Sequence, residues 1–351
     1  MKTAFRSLAI GLLVLWGHAV AQAADPGATA SAPTSGWGPI DMKSHVVAPG
    51  TKAKFTFMAE RSFEGSFLDT ALWAARGTSP GPTLCVVAGI HGDEINSVEI
   101  ARRAFHAVDP QRLAGTLIVV PAANSQGFRT MNRYMIDRRD LNRSFPGSVK
   151  GSVASIVANA IFERVIRQCD YLIDLHTGSN FRANVAQIRV DMEDPDSLAL
   201  AENFGVGVII GGAGPSGSLR REAVDAGVAA IIYEAGPPYT FLEDEIELGT
   251  QGVLNVLDYL EMFETKGKRQ RSQKLISSSW VRIPRGRGGI FLTKTRLGDR
   301  VDEGEILGSV TDPLTDATYE IRSPRDGIVI GAAIPQVVLS GYGVFHIGRL
   351  E

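Results

Sequence analysis

The chain has 351 residues, 44% of them hydrophobic and 21% charged, with a formal net charge of −2. This is the balance of an ordinary soluble globular protein, with room for a main domain and a smaller one. The charge falls to −4 once Lys2 and Arg6 are removed with the first 23 residues, which argues against nucleic acid or an anionic membrane surface as a partner.

Residues 1–23 read as a secretory signal peptide. Lys2 and Arg6 give a positive start, Leu8 to Trp16 a short apolar core, and Ala21-Gln22-Ala23 a cleavage pattern. The apolar run is too short for a stable membrane span. A periplasmic or secreted location is expected, with no membrane contact after signal removal. Residues 24–45 form a flexible leader, rich in Ala, Pro, Ser and Gly over 24–40.

A main α/β domain is expected over 46–265. Lys52 to Phe57 alternates as a half-exposed strand does, and Leu68 to Ala75 is a second strand. Ser79-Pro80-Gly81-Pro82 reads as a turn. Leu84 to Ala88 is a continuous apolar run of buried-strand type, delivering Gly89, His91, Gly92 and Glu94. A helix follows, with Val98, Ala101 and Phe105 at helical spacing, and then a strand over Thr116 to Pro121. Asn124 to Lys150 is a long polar stretch of the kind that carries function.

Val153 to Val165 is an amphipathic helix leading into the strand Tyr171 to His176. A helix from Asp194-Pro195 to Phe204, a strand over Val206 to Ile210 and a helix over Ser218 to Ala226 come next. The Gly-rich run 211–214 lacks nucleotide-cradle spacing and reads as a loop. Ala229 to Gly236 is another apolar strand, carrying Glu234, and Glu243 to Phe263 is a helix. The alternation predicts a mixed, mostly parallel sheet flanked by helices. After the basic linker Lys266 to Arg271, short strands with Gly, Pro and Asp turns predict a small all-β domain over 275–351.

Ligands gather beyond the carboxyl ends of strands in such sheets. His91 and Glu94 in one tight turn, with Gly92 between them giving backbone freedom, can aim a nitrogen and an oxygen at one point. His176 ends a second strand of the same type. Together they form a His₂Glu set with an open fourth position, the catalytic form of a zinc site. Glu234, also at a strand end, is the candidate base for a water there; a structural ion pair is the plainer reading. Arg129, Arg133, Arg138, Arg139 and Arg143 lie in the long loop and could grip a carboxylate or an oxyanion, and composition does not choose among them. Cys85 and Cys169 lie six and seven residues before the two histidines. In regular strands that offset puts them on opposite faces, so two buried thiols are expected.

The motifs His91-Gly92-Asp93-Glu94, Asp140 to Gly147, Asp174-Leu175-His176 and Tyr233-Glu234-Ala235-Gly236 resemble, in order, those of the succinylglutamate desuccinylase/aspartoacylase family, within the zinc carboxypeptidase-like fold. The resemblance implies one zinc ion per chain on His91, Glu94 and His176, with Glu234 as general base. It also implies a substrate carboxylate held by Asn142 and Arg143, and an oxyanion steadied by Arg133, with Arg138 as fallback. Asp174 would orient His176 from behind. The implied activity is hydrolysis of the amide bond of an N-acyl amino acid, or a related small carboxylate-bearing amide, by a zinc-bound water. Export raises an alternative, a zinc carboxypeptidase trimming short cell-wall peptides. A mere small-acid binding protein would have no use for Glu234.

The C-terminal region resembles the barrel-sandwich hairpins of lipoyl and biotinyl domains at Gly298 to Gly308 and Ser323 to Gly327. No lysine lies between Val301 and Arg322, so no such group is expected. The resemblance suggests instead that this region shapes the active-site entrance or makes a homo-oligomer contact.

Overall fold

A computed structural model describes residues 47–61, 67–265 and 273–350. The signal peptide, the leader and the basic linker lie outside the described residues. Strands β1 (Thr51–Arg61), β2 (Phe67–Arg76) and β3 (Ser79–Ala88) come first. Helix α1 (Ile95–Ala107), strand β4 (Ala114–Val120), helices α2 (Ser125–Thr130) and α3 (Val153–Arg164) and strand β5 (Tyr171–His176) follow. Next are β6 (Arg182–Val190), α4 (Pro195–Phe204), β7 (Val208–Gly211), α5 (Leu219–Asp225), β8 (Ala229–Gly236) and α6 (Glu243–Tyr259). The rest is strands: β9 (Gln273–Arg282), β10 (Gly289–Thr293), β11 (Arg300–Val301), β12 (Ile306–Thr311), β13 (Thr318–Arg322), β14 (Gly327–Ala333), β15 (Gln336–Val338) and β16 (Gly343–Leu350).

The sheet is mixed, and its centre β4-β3-β5-β8 is parallel. Helices cover both faces. Leu84, Val86, Ile173, Leu175, Ile231 and Tyr233 pack toward α1, α4 and α6. Cys85, Val87, Leu172 and Ala230 pack toward α3 and α5. A strand buried on both faces has no polar side to show, which is why these runs read as continuously apolar.

Four details depart from the sequence reading. Residues 79–82 are not a turn but the start of β3, where Ser79 pairs with Ala114 before the register shifts toward Thr83. Prolines are tolerated at such a strand start, where no ladder donor is needed. Helix α6 stops at Tyr259, and Met262 N turns back to Leu257 O at 2.8 Å. Strand β6 was not anticipated at all.

The fourth departure is a disulfide between Cys85 and Cys169, with Cα atoms 5.8 Å apart. Strand alternation does not reach Cys169. It caps the 3₁₀ turn Ile166–Gln168, two residues before β5 begins, and so faces the same side as Cys85.

The C-terminal strands form an all-β region. Strands β13-β12-β10-β15 make one sheet, while β9, β16, β14 and β11 continue the large sheet. Phe291, Leu307 and Val310 meet Val329, Phe345 and Ile347 in the core between them. The join is direct: β7 pairs with β9, and β6 pairs with β14.

The disulfide closes a sequence separation of 84 residues. Replacing both cysteines with alanine is therefore expected to lower unfolding free energy by about 2–4 kcal/mol. Denaturant titration checks it; an unchanged midpoint would refute it.

Candidate active site

The site begins where β3 ends. Gly89 takes φ of 60°, swinging the chain off the strand. Gly92 sits where any Cβ would fall 1.9 Å from the carbonyl carbon of Gly127 in α2. Its role is close backbone approach rather than the conformational freedom expected from sequence. Glu94 then becomes the N-cap residue of α1. The turn is thus pinned on both sides, and His91 and Glu94 are fixed within it.

His176 arrives from β5, which runs parallel to β3 with Ala88 opposite Leu175. Glu94 stands between the two histidines. Its Oε1 lies 2.7 Å from His91 Nδ1 and its Oε2 lies 2.7 Å from His176 Nδ1. The imidazole centroids are 5.0 Å apart. All three residues are buried, and their ligand atoms lie within 4.8 Å of one another.

The far nitrogens are also held. His91 Nε2 is 3.1 Å from Asp140 Oδ1. His176 Nε2 is 3.0 Å from Asp174 Oδ1, close enough for an ion pair though off the hydrogen-bond line. A carboxylate behind each imidazole fixes ring orientation and presents Nδ1 forward, the usual support for a metal-binding histidine. Two imidazole nitrogens and a carboxylate oxygen are N and O donors of the kind zinc takes, so the residues fit a divalent ion.

The electrostatics agree. Burial pushes the Glu94 carboxyl up, but His91 and His176 pull it well below the usual carboxylate range. Burial pushes His176 down, but Asp174 and Glu94 hold it well above an ordinary histidine. Asp140 is likewise lowered, with His91 and Arg133 outweighing its burial. The acids gathered here favour positive charge at the centre.

The remaining candidates share the cavity. It measures about 330 Å³ and is lined by His91, Glu94, His176, Arg133, Asn142, Arg143 and Glu234, among others. Glu234 is the register partner of His176 on β8. Its Oε2 accepts from Asn184 Nδ2 at 2.8 Å and Gln187 Nε2 at 3.0 Å, and its Oε1 lies 3.0 Å from Arg189 Nε. Glu234 therefore makes the ion pair of the plainer reading and also lines the cavity.

Asp140 caps the 3₁₀ turn Leu141–Arg143. Asn142 Oδ1 accepts from Leu219 N at 2.8 Å, at the start of α5. Among the described residues, no hydrogen bond engages the Asn142 amide nitrogen, and the residue lines the cavity. Arg143 Nη1 donates to Asn142 O at 2.6 Å. Arg133 Nη2 donates to Asp140 Oδ2 at 2.8 Å, while its Nη1 lies 3.5 Å from Glu94 Oε1 and donates to Ser179 Oγ. Arg138 is exposed in a turn, with φ of 62°, and is not among the lining residues.

Sequence reasoning passed over Ser179, Arg182, Asn184, Arg189, Arg220 and Trp280, which also line the cavity. It quoted Asp140 without a role; the signal available was that a metal-type histidine wants a carboxylate behind it. Arg220 is 3% exposed, and its Nη2 donates to Gly212 O at 2.7 Å.

A family model described as the succinylglutamate desuccinylase/aspartoacylase catalytic domain matches residues 80–260. The N-alpha-acetyl-L-2,4-diaminobutyric acid deacetylase of Halomonas elongata is 24% identical over 274 residues, covering 74% of this chain and 80% of that protein. Two solved structures share the fold. The product-bound ectoine utilization protein EutE (DoeB) of Ruegeria pomeroyi aligns with TM-score 0.79 and 22% identity, over 92% of this chain and 100% of that one. A succinylglutamate desuccinylase/aspartoacylase of Rhodobacter sphaeroides aligns with TM-score 0.78 and 21% identity, over 87% of this chain and 98% of that one.

An amide in place of the carboxylate behind His91 keeps the shape of the side chain but takes away the charge that raises the ring's basicity. Asp140→Asn is expected to weaken uptake of zinc by roughly 10- to 100-fold. Competition with a chromogenic chelator measures this, and unchanged affinity would remove Asp140 from the site.

Proposed function

Because this chain belongs to the succinylglutamate desuccinylase/aspartoacylase family, we propose that it is an exported zinc-dependent amide hydrolase. Its substrate is an N-acyl amino acid or a related small carboxylate-bearing amide. One observation carries the reading: two strand-end histidines meet a buried glutamate in a cavity that also holds Glu234 and several arginines. The curated relative named as an N-acetyl-diaminobutyric acid deacetylase supports an amide as the bond cleaved.

His91, Glu94 and His176 would hold the ion, which when bound supplies Lewis acidity toward a carbonyl and acidifies water. The protein's own groups do the rest. Asn142 and Arg143 hold the substrate carboxylate and so fix the scissile amide in the cavity. Glu234 accepts a proton on a carboxylate oxygen from the attacking water, as the water oxygen bonds to the acyl carbon. The guanidinium of Arg133 steadies the oxyanion. The carbon–nitrogen bond then breaks, and Glu234 passes its proton to the leaving amine.

Export is supported from two sides. The N-terminal residues carry the signal-peptide pattern. The Cys85–Cys169 disulfide belongs to an oxidising compartment.

The test is a panel of N-acyl amino acids and dipeptides offered to the zinc-loaded mature protein. Free amino acid should appear from the acylated compounds, and Glu234→Gln should lower kcat by about 10²-fold or more with little change in KM. Unchanged turnover in Glu234→Gln would overturn the mechanism. Release from dipeptides alone would make the protein a carboxypeptidase instead.

A further inference from the structure

Arg182, the first residue of β6, lines the same cavity, and the C-terminal strands decide where it points. Its guanidinium carbon lies 4.2 Å from the ring centre of Tyr342 and 5.1 Å from that of Trp280. Its Nε donates to Gly343 O at 2.9 Å. Trp280, which also lines the cavity, is backed by His346, the two rings stacked 4.7 Å apart with planes 11° from parallel. Burial, helped by Arg189, pushes His346 down to about 3, so the ring behind Trp280 is neutral. Space for the indole depends on Gly343, where a Cβ would fall 2.8 Å from Trp280 Cε3.

Four arginines in the cavity wall are buried or half-buried, and they differ in their company. Arg133 has Asp140 and Arg189 has Glu234. Arg220 has Asp191, Asp174 and Glu234 among its charge neighbours. Among the described residues, the charge neighbours of Arg182 are the Tyr342 phenol, Arg282 and Arg133, and no carboxylate is one of them. Among the described residues, its only hydrogen bond to protein is the one from Nε.

A guanidinium drawn out of water needs compensation. Two aromatic faces return part of it. They also hold the planar fork rigid while leaving both terminal nitrogens unused, which is the arrangement that takes a carboxylate through two parallel hydrogen bonds. We infer that Arg182 is a specificity-determining residue that receives a second carboxylate of the substrate, apart from the one at Asn142 and Arg143. Trp280 and Tyr342 are the positioning residues that hold it there. The C-terminal strands thereby form part of the active site. The inference rests on the amide-hydrolase reading above.

Two matched pairs test it on the metal-loaded enzyme. N-acetyl-L-glutamate against N-acetyl-L-glutamine places the second charge on the amino acid. N-succinyl-L-alanine against N-butyryl-L-alanine places it on the acyl group. Wild type should favour the charged member of one pair, and Arg182→Met should raise KM for that member about 10- to 100-fold while sparing its neutral match. Tyr342→Leu should lose part of the same preference with kcat held, and Tyr342→Phe, which keeps the ring, should restore it. Arg182→Lys, which keeps the charge without the fork, serves if the methionine variant does not fold; it should lose part of the preference.

An equal KM rise for both members, or a wild type with no preference in either pair, would overturn the inference. Should none of the four compounds be hydrolysed, the amide-hydrolase reading fails on its own. Calorimetric binding of N-acetyl-L-glutamate and N-succinyl-L-alanine to wild type and the Arg182 variant then decides the matter. Weaker binding of either to the variant supports the inference; equal affinity for both sinks it.

Discussion

Glu94 carries a carboxylate into a place almost without water, and the surrounding chain must answer for that charge. An uncompensated buried ion costs several kcal/mol. Here the compensation comes from His91 and His176 at 2.7 Å each, from Thr177 N at 3.1 Å and from Arg133. These groups belong to the turn after β3, the end of β5 and the long loop before Leu141. They meet only if β3 and β5 keep their parallel register, Ala88 opposite Leu175. A slip of one residue would turn His176 to the other face of the sheet.

Several features guard that register. The disulfide ties β3 to the entry of β5, at the end of β5 away from His176, where Cys85 pairs with Leu172 in the ladder. Gly92 lets α2 press against the ligand turn from outside. Asp140 bonds to His91 and Arg133 and also caps the turn that presents Asn142 and Arg143. The support of His91 and the placing of Asn142 and Arg143 are therefore one mechanical unit, built on a single aspartate.

The sequence was informative where physics leaves one solution. Strands buried on both faces must be apolar throughout, so β3, β5 and β8 were visible, along with the polar residues at their tips. It was silent on β6. The inner face of that strand points Asn184, Gln187 and Arg189 at Glu234 or into the cavity, so it lacks the apolar alternation by which a half-buried strand is found. Cys169 was misplaced for a related reason: parity counting assumes a strand that had not yet begun. Arg182 and Trp280 lie nearly a hundred residues apart in sequence, so only the sheet pairings bring them to one wall. Arg133 could be chosen from five loop arginines only by resemblance, and the geometry that distinguishes it is tertiary.

The place of β6 explains why the C-terminal strands are built into the sheet rather than hung beside it. One edge of β6 pairs with β8, which brings its polar side chains to Glu234. At its start, Arg182 pairs with Ala333 of β14 and reaches Gly343, Trp280 and Tyr342. A site whose groups must hold position to about half an ångström is best set on rigid elements. A region on a mobile hinge would let Trp280 drift against His176. A strand shared by both regions holds the two walls of the cavity together, and it leaves variation in the C-terminal side chains free to change which substrates fit without disturbing the ligands of the centre.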